Sequence, residues 1–195
     1  SGGALYAASV NNGSANRGID LRVELSTFTG NSASTYGGAF YNNSFSGFVD
    51  ASVVNSIIYG NAAGGSDTAS IDGDQVGHEG ENTSLDISHT LIEGGRAALL
   101  ERRSATTNDQ GGLLDADPRF GAPGGPDGFD DTFATADDGL RLAPGSPAVD
   151  AGDNDAVYFA TDFDLTGAER IQDGTVDLGA YEGSVDLEKV IHVDA

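Results

Sequence analysis

Five aspartates, Asp150, Asp153, Asp155, Asp162 and Asp164, fall within fifteen consecutive positions of the chain. Carboxylates at that density repel one another unless water or a cation stands between them. Two readings follow. Either the segment is a solvated acidic surface, or Asp150, Asp153 and Asp155 hold a structural Ca²⁺, which takes oxygen ligands in flexible geometry where zinc would ask for His or Cys. A second acidic stretch, Asp72-Gly-Asp-Gln-Val-Gly-His-Glu79, has calcium-loop ingredients but neither the terminal Glu nor the flanking helices of an EF-hand.

Catalysis finds less support. Glycoside hydrolases need a positioned pair of carboxylates, and uronate lyases an Arg or Lys base. Carboxylates are so abundant here that any pair can be named, so none stands out. Arg17, Arg22, Arg96, Arg102 and Arg103 sit in no recognisable motif, and His78, His89 and His192 read as loop, strand and tail positions. There is no tryptophan, and no aromatic-rich stretch on which a sugar would stack. The expectation is a chain with no catalytic site of its own.

The charge narrows the partners. With 31 acidic residues against 9 basic ones the formal charge is −22. A phosphate backbone requires a basic face, so nucleic acid is not an expected ligand. The longest apolar runs are four or five residues, too short to cross a bilayer as a helix, and no membrane insertion is expected. With no cysteine, extracellular stability would have to come from packing or metal. No signal peptide is visible and Ser1-Gly-Gly-Ala is not a natural start, so the expectation is an internal piece of a longer polypeptide.

These residues must be carried by a repetitive framework. Leu25-Ser-Thr-Phe-Thr-Gly-Asn31 aligns with Asn55-Ser-Ile-Ile-Tyr-Gly-Asn61 and with His89-Thr-Leu-Ile-Glu-Gly-Gly95, while Gly2-Gly-Ala-Leu-Tyr6 returns as Gly37-Gly-Ala-Phe-Tyr41. Repeats of about 30 to 35 residues with short, β-branched cores point to a stacked array of strands. A solenoid of parallel strands would stack Phe28, Ile58 and Ile92 inside it, at the ~4.8 Å spacing of paired strands. A β-sandwich is the rival, but its strands recur every 8–12 residues or so with hairpin signals. Asn31 and Asn61 at equivalent corners are either a stacked amide ladder or ordinary turn asparagines. Asn11 to Asn16 and Gly64 to Asn82 read as polar excursions, and Ala97-Ala-Leu-Leu-Glu-Arg-Arg103 as the one helical turn, on the surface.

Phe28-Thr-Gly-Asn-Ser-Ala-Ser-Thr-Tyr-Gly-Gly-Ala-Phe40 resembles the F-x-x-N…G-G-A-[ILF] repeat of polymorphic outer-membrane proteins and related right-handed parallel β-helices. The third repeat departs from it, with Gly95 in place of asparagine. The resemblance covers about a hundred residues and implies a fold, not an activity.

Asp115 to Glu182 carries a second resemblance. Asp117-Pro-Arg-Phe120, Leu142-Ala-Pro-Gly-Ser-Pro-Ala-Val-Asp-Ala-Gly152, Asp164-Leu-Thr-Gly-Ala-Glu-Arg170 and Asp177-Leu-Gly-Ala-Tyr-Glu182 occur in order. The set is similar to the C-terminal part of choice-of-anchor Q domains of secreted β-helix proteins. What that implies is a loop-rich cap closing the end of the helix, which an open stack requires in any case. Val149, Leu165, Ile171, Leu178 and Tyr181 are expected over that end, with Arg170 paired to Asp164 or Asp177. Leu140-Arg-Leu142 reads as a strand, and the carboxylates of Gly121 to Asp138 as solvent-facing.

After Glu182, the strand-like run Val190-Ile-His-Val193, followed by Asp194-Ala195, resembles the [IV]-x-V-D-A opening of the N-terminal strand in the same kind of β-helix domain. That implies the first strand of a following module; the alternative is a strand folded back on this one. The expected organisation is therefore all-β: a right-handed parallel β-helix over 1–112, incomplete at its N-terminus, a cap over 113–183, and a linker with the next module's first strand over 184–195. The expected function is a structural or adhesive segment of a large secreted, cell-surface repeat protein. Its expected partners are neighbouring modules or copies of itself end to end, and cell-surface glycans. The alternative is the non-catalytic C-terminal part of a β-helix polysaccharide lyase or hydrolase, whose catalytic coils lie upstream.

Overall fold

The computed structural model describes residues 4–9, 18–45, 47–64, 75–157 and 162–183. Asn11–Asn16, the Asp72–Asp74 part of the second acidic stretch, Arg17, His192 and the whole 184–195 tail lie outside them.

The chain makes four passes over two parallel sheets, and the first two passes also pair in a third, two-stranded one. The first lays down β1 (Leu5–Ser9), β2 (Gly18–Glu24), β3 (Thr27–Thr29) and β4 (Ser32–Ala33). The second gives β5 (Phe40–Ser44), β6 (Phe48–Tyr59) and β7 (Ala62–Ala63). The third gives β8 (Val76–Glu79) and β9 (Thr83–Ile92), and the fourth β10 (Leu99–Arg102) and β11 (Thr106–Asp109). One sheet has the order β1-β5-β8-β10, another β11-β9-β6-β2 with β3 also on β6, and the third pairs β4 with β7. Every pairing between these strands is parallel. The protein is all-β.

The repeat spacing becomes backbone register. Leu5 lies opposite Phe40 and Tyr6 opposite Tyr41; Phe28 lies opposite Ile58, which in turn lies opposite Ile92. Ile58 and Ile92 are fully buried, with Phe28 packed on them, in a core shared with Phe40, Val53, Val76, Leu85 and Ile87. The amide ladder also forms: Asn31 Nδ2 donates to Asn61 Oδ1 at 2.9 Å. Where the third repeat has glycine instead, Gln75 and Glu93 continue it, Asn61 Nδ2 donating to Gln75 Oε1 (2.9 Å) and Gln75 Nε2 to Glu93 Oε2 (3.0 Å).

A second column runs beside the first. Leu25, Asn55 and His89 hold the same place in successive passes and all have positive φ, 47°, 50° and 39°. The next residue is a hydroxyl each time, Ser26, Ser56 and Thr90, donating back to the carbonyls of Glu24, Val54 and Ser88. That side-chain bond competes with the ladder and lets the strand break and turn at this point. A left-handed residue other than glycine costs roughly 1 kcal/mol or more, least for asparagine.

Three local expectations change. Val76–Glu79 is no excursion but an inner strand of a four-stranded sheet, because Val76 and His78 are buried beside Phe40 and Asn42. His78 is accordingly a strand residue. Of the 97–103 stretch only Ala97 and Ala98 are helical, as the end of a 3-10 turn over Gly95–Ala98, and Leu99–Arg102 is a strand.

The larger correction concerns the cap. The described part of 113–183 has little regular structure: bridges at Leu91–Leu114, Phe120–Leu142 and Phe163–Glu169, and a 3-10 turn at Asn154–Ala156. Leu140-Arg-Leu142 contributes one bridge rather than a strand. This segment packs against the side of the stack, its core being Ile57, Leu91, Leu142, Ala148 and Leu178. Ile57 and Leu91 precede the inward Ile58 and Ile92, so they point outward and need cover. Gly179 is why the cover can come so close: a Cβ there would stand 2.7 Å from Thr27 Oγ1 and 2.9 Å from Ile57 Cδ1. Of the residues expected over an open end, Leu178 and Tyr181 are buried and Val149 packs on this side core. Leu165 and Ile171 are 49% and 42% exposed.

Candidate functional site

Asn55 ties the cap to the strands. It is fully buried; its Nδ2 donates to Asp153 O (2.9 Å) and its Oδ1 accepts from Asp153 N (2.8 Å). Gly179 N donates to Asn55 O (2.9 Å) and Ala180 N to Thr27 Oγ1 (3.1 Å). One asparagine thus satisfies both backbone groups of a residue 98 positions away.

Behind this clamp lies a buried knot of three carboxylates and one guanidinium: Asp164, Asp177, Glu182 and Arg170. Asp164 accepts from the backbone N–H groups of Thr166, Ala168 and Glu182. Asp177 accepts from Asp150 and Gly183, and Glu182 from Gln172 and Asp177. Irregular backbone that cannot pair with itself is satisfied by acids instead. Arg170 makes no direct ion pair with Asp164 or Asp177 among the described contacts. It donates to Gly179 O and Ala180 O, both at 3.2 Å, and stands near all three acids as a compensating charge.

One cation among three acids leaves an excess of negative charge, and proton affinity divides accordingly. Burial raises the Asp164 pKa, but its hydrogen bonds outweigh that and hold it below the ordinary value. Burial pushes Asp177 up. Burial, and then the charge of Asp177, push Glu182 up to about 7. A further acid, Asp138, is fully buried rather than solvent-facing, accepting from Ala134 N (2.7 Å), Thr135 N (3.1 Å) and Tyr181 OH (2.5 Å).

The three aspartates expected to bind calcium follow one another around a corner of the cap. Asp150 and Asp155 are exposed and Asp153 is half-buried. Asp153 Oδ1 accepts from Asp155 N (2.9 Å), and Asp150 N is held by Asp177. Among the described residues no three His, Cys, Asp or Glu side chains converge as a metal cluster. Of the three carboxylates, that of Asp153 supports the turn.

A third constellation was hidden in the sequence. On the outer face of the four-stranded sheet the Tyr6 and Tyr41 rings stack at 6.1 Å and the Tyr36 and Tyr41 rings at 5.8 Å. Arg102 lies over the Tyr36 ring at 4.5 Å. Gly77 makes room, since a Cβ there would meet the Tyr41 ring at 2.6 Å. Tyr41 OH donates to Glu79, which also takes Arg103 Nε at 2.7 Å; burial and then this hydrogen bond raise the Tyr41 pKa. Beside it a cleft of about 570 Å³ is lined by Asn43, Ser44, Phe45, Glu79, Asn82 and Arg103, among others. The aromatic grouping was illegible as a stretch because its members come from two passes. The signal was the repeated Leu5-Tyr6 and Phe40-Tyr41, where every second residue faces outward.

Compared with known proteins, the chain matches no family model, no curated protein and no solved structure. The likeness to choice-of-anchor Q domains therefore rests on its four motifs alone.

Proposed function

We propose that this chain is a structural or adhesive segment of a large secreted, cell-surface repeat protein, built as a right-handed parallel β-helix whose loop-rich C-terminal region braces its side. What carries the reading is the parallel register of the strands of the first three passes, 30 to 36 residues apart, with in-register asparagines at one corner. Stacks of this kind are stiff because each pass pairs along its length with the next. The four sheet-edge strands β1, β2, β10 and β11 support end-to-end contact with neighbouring modules or further copies. The test is surface labelling. An antibody raised to this segment should stain intact source cells, and external protease should remove the epitope. Staining seen only after lysis would contradict the reading.

Calcium at Asp150, Asp153 and Asp155 belongs to the same proposal and is supported by the local excess of carboxylates alone. A Tm lowered by EGTA and restored by Ca²⁺ would support it, and an unchanged Tm would remove it.

A further inference from the structure

We propose that the cleft between Phe45, Glu79, Asn82 and Arg103 binds a neutral sugar unit of an oligosaccharide. The proposal deepens the adhesive reading above, resting on it only for the source of the ligand, an extracellular glycan.

The cleft is where three successive passes leave the four-stranded sheet: Asn43 to Phe45, Glu79 to Asn82, and Arg103 to Ser104. Its volume of about 570 Å³ falls within the ~300–1,000 Å³ of small-ligand clefts. One wall is aromatic. Phe45 continues the outward alternation Tyr41, Asn43, Phe45; its backbone is fixed by Phe45 N donating to Ser9 O at 3.0 Å, yet 61% of the residue is exposed. A phenyl group on a fixed backbone and left uncovered is a stacking platform.

The lining also pairs an acceptor with a donor. Glu79 is held by Tyr41 OH, Arg103 Nε and, at 3.8 Å, Arg102 Nε. Arg103 remains 71% exposed by its side chain while making that contact. It reaches there through an unfavourable turn, Arg103 and Ser104 having φ of 50° and 65° in succession. Two left-handed non-glycine residues in a row cost a few kcal/mol and persist where something fixes them. Here they bring a guanidinium over a carboxylate at the mouth of the cleft. An adjacent carboxylate and guanidinium receive vicinal hydroxyls, one oxygen donating and the other accepting, and the amides of Asn43 and Asn82 extend the set.

The charge selects a neutral ligand. Glu79 and Glu81 line the cleft against one lining arginine, which is already paired, on a chain of −22. A uronate would meet repulsion at both ranges.

The test uses the full chain and isothermal titration with cellotetraose and mannotetraose as neutral probes and tetragalacturonate as the acidic one. At least one neutral probe should bind, with a Kd that does not change between low and high salt. Phe45→Ala and Arg103→Ala should each weaken it by about tenfold or more with the fold retained. No neutral binding at millimolar sugar, binding of the uronate alone, or binding undiminished in both variants would overturn the proposal. Circular dichroism on the same samples reports the fold separately, and surface labelling tests the spacer reading whatever the sugars do.

Discussion

At the scale of single residues, Asn55 combines two tasks that ordinarily fall to different side chains. It adopts the left-handed conformation that the strand break requires, and its amide holds both backbone groups of Asp153. Asn55→Ala should cost about 2–4 kcal/mol, from two lost hydrogen bonds that leave buried partners and from the backbone preference. Asn55→Gly, which keeps the backbone easy, should recover about 1 kcal/mol of that in urea unfolding. Two buried groups set the pH response with opposite sign. His78 is fully buried and, chiefly through burial, its pKa is lowered to about 4. Its contribution is present above the unfolded value near 6.5 and lost as pH falls towards 4. Glu182 is pushed up to about 7 by burial and by Asp177, so its contribution is present below the unfolded value near 4.5 and lost as pH rises through 7. Stability of Glu182→Gln relative to the parent should therefore climb by up to about 3 kcal/mol between pH 4.5 and 7, read from denaturant midpoints at each pH. A constant difference would mean that Glu182 titrates normally.

At the scale of elements, the paired apolar positions Ile57-Ile58 and Leu91-Ile92 decide the architecture. One residue of each pair fills the inner stack and the other the contact with the cap. Ile57→Ala should thus cost about as much as Ile58→Ala, roughly 2–5 kcal/mol each in urea unfolding. A surface-sized loss at Ile57, below about 0.5 kcal/mol, would mean that the cap does not cover it. The same elements show how far the chain could be read. Repeats of Phe28, Ile58 and Ile92 and of Tyr6 and Tyr41 gave strand, register and corner directly, because parallel pairing copies sequence spacing into space. The direction of the cap was also written there, in doublets apolar on both faces. It was obscured because a cap motif by itself does not say which surface it covers. The fourth pass carries no repeat signature, since its strands return after only 22 or 23 residues, Thr106 opposite Ser84 and Leu99 opposite Val76, with no shared motif. Glu79 and Arg103 were unreadable as a pair because nothing in their local sequence links one pass to the next.

At the scale of the molecule, the strands and the segment after them form a single unit joined along a flank. The side core of Ile57, Leu91, Leu142, Ala148 and Leu178, the Asn55 clamp and the buried acids all lie on that flank. The acids fix the cap's irregular backbone, and the cap covers an apolar face that the strands leave bare. Each half is incomplete alone, as in one packed unit rather than a hinged pair of domains. Such coupling makes opening cooperative rather than local. Native-state hydrogen exchange read by mass spectrometry tests it most directly. Peptides from β6 and β9 and peptides spanning 142–157 and 176–182 should share one opening free energy, and Asn55→Ala should lower all of them equally. Cap peptides that open at markedly lower free energy, with the strands unaffected by Asn55→Ala, would contradict it.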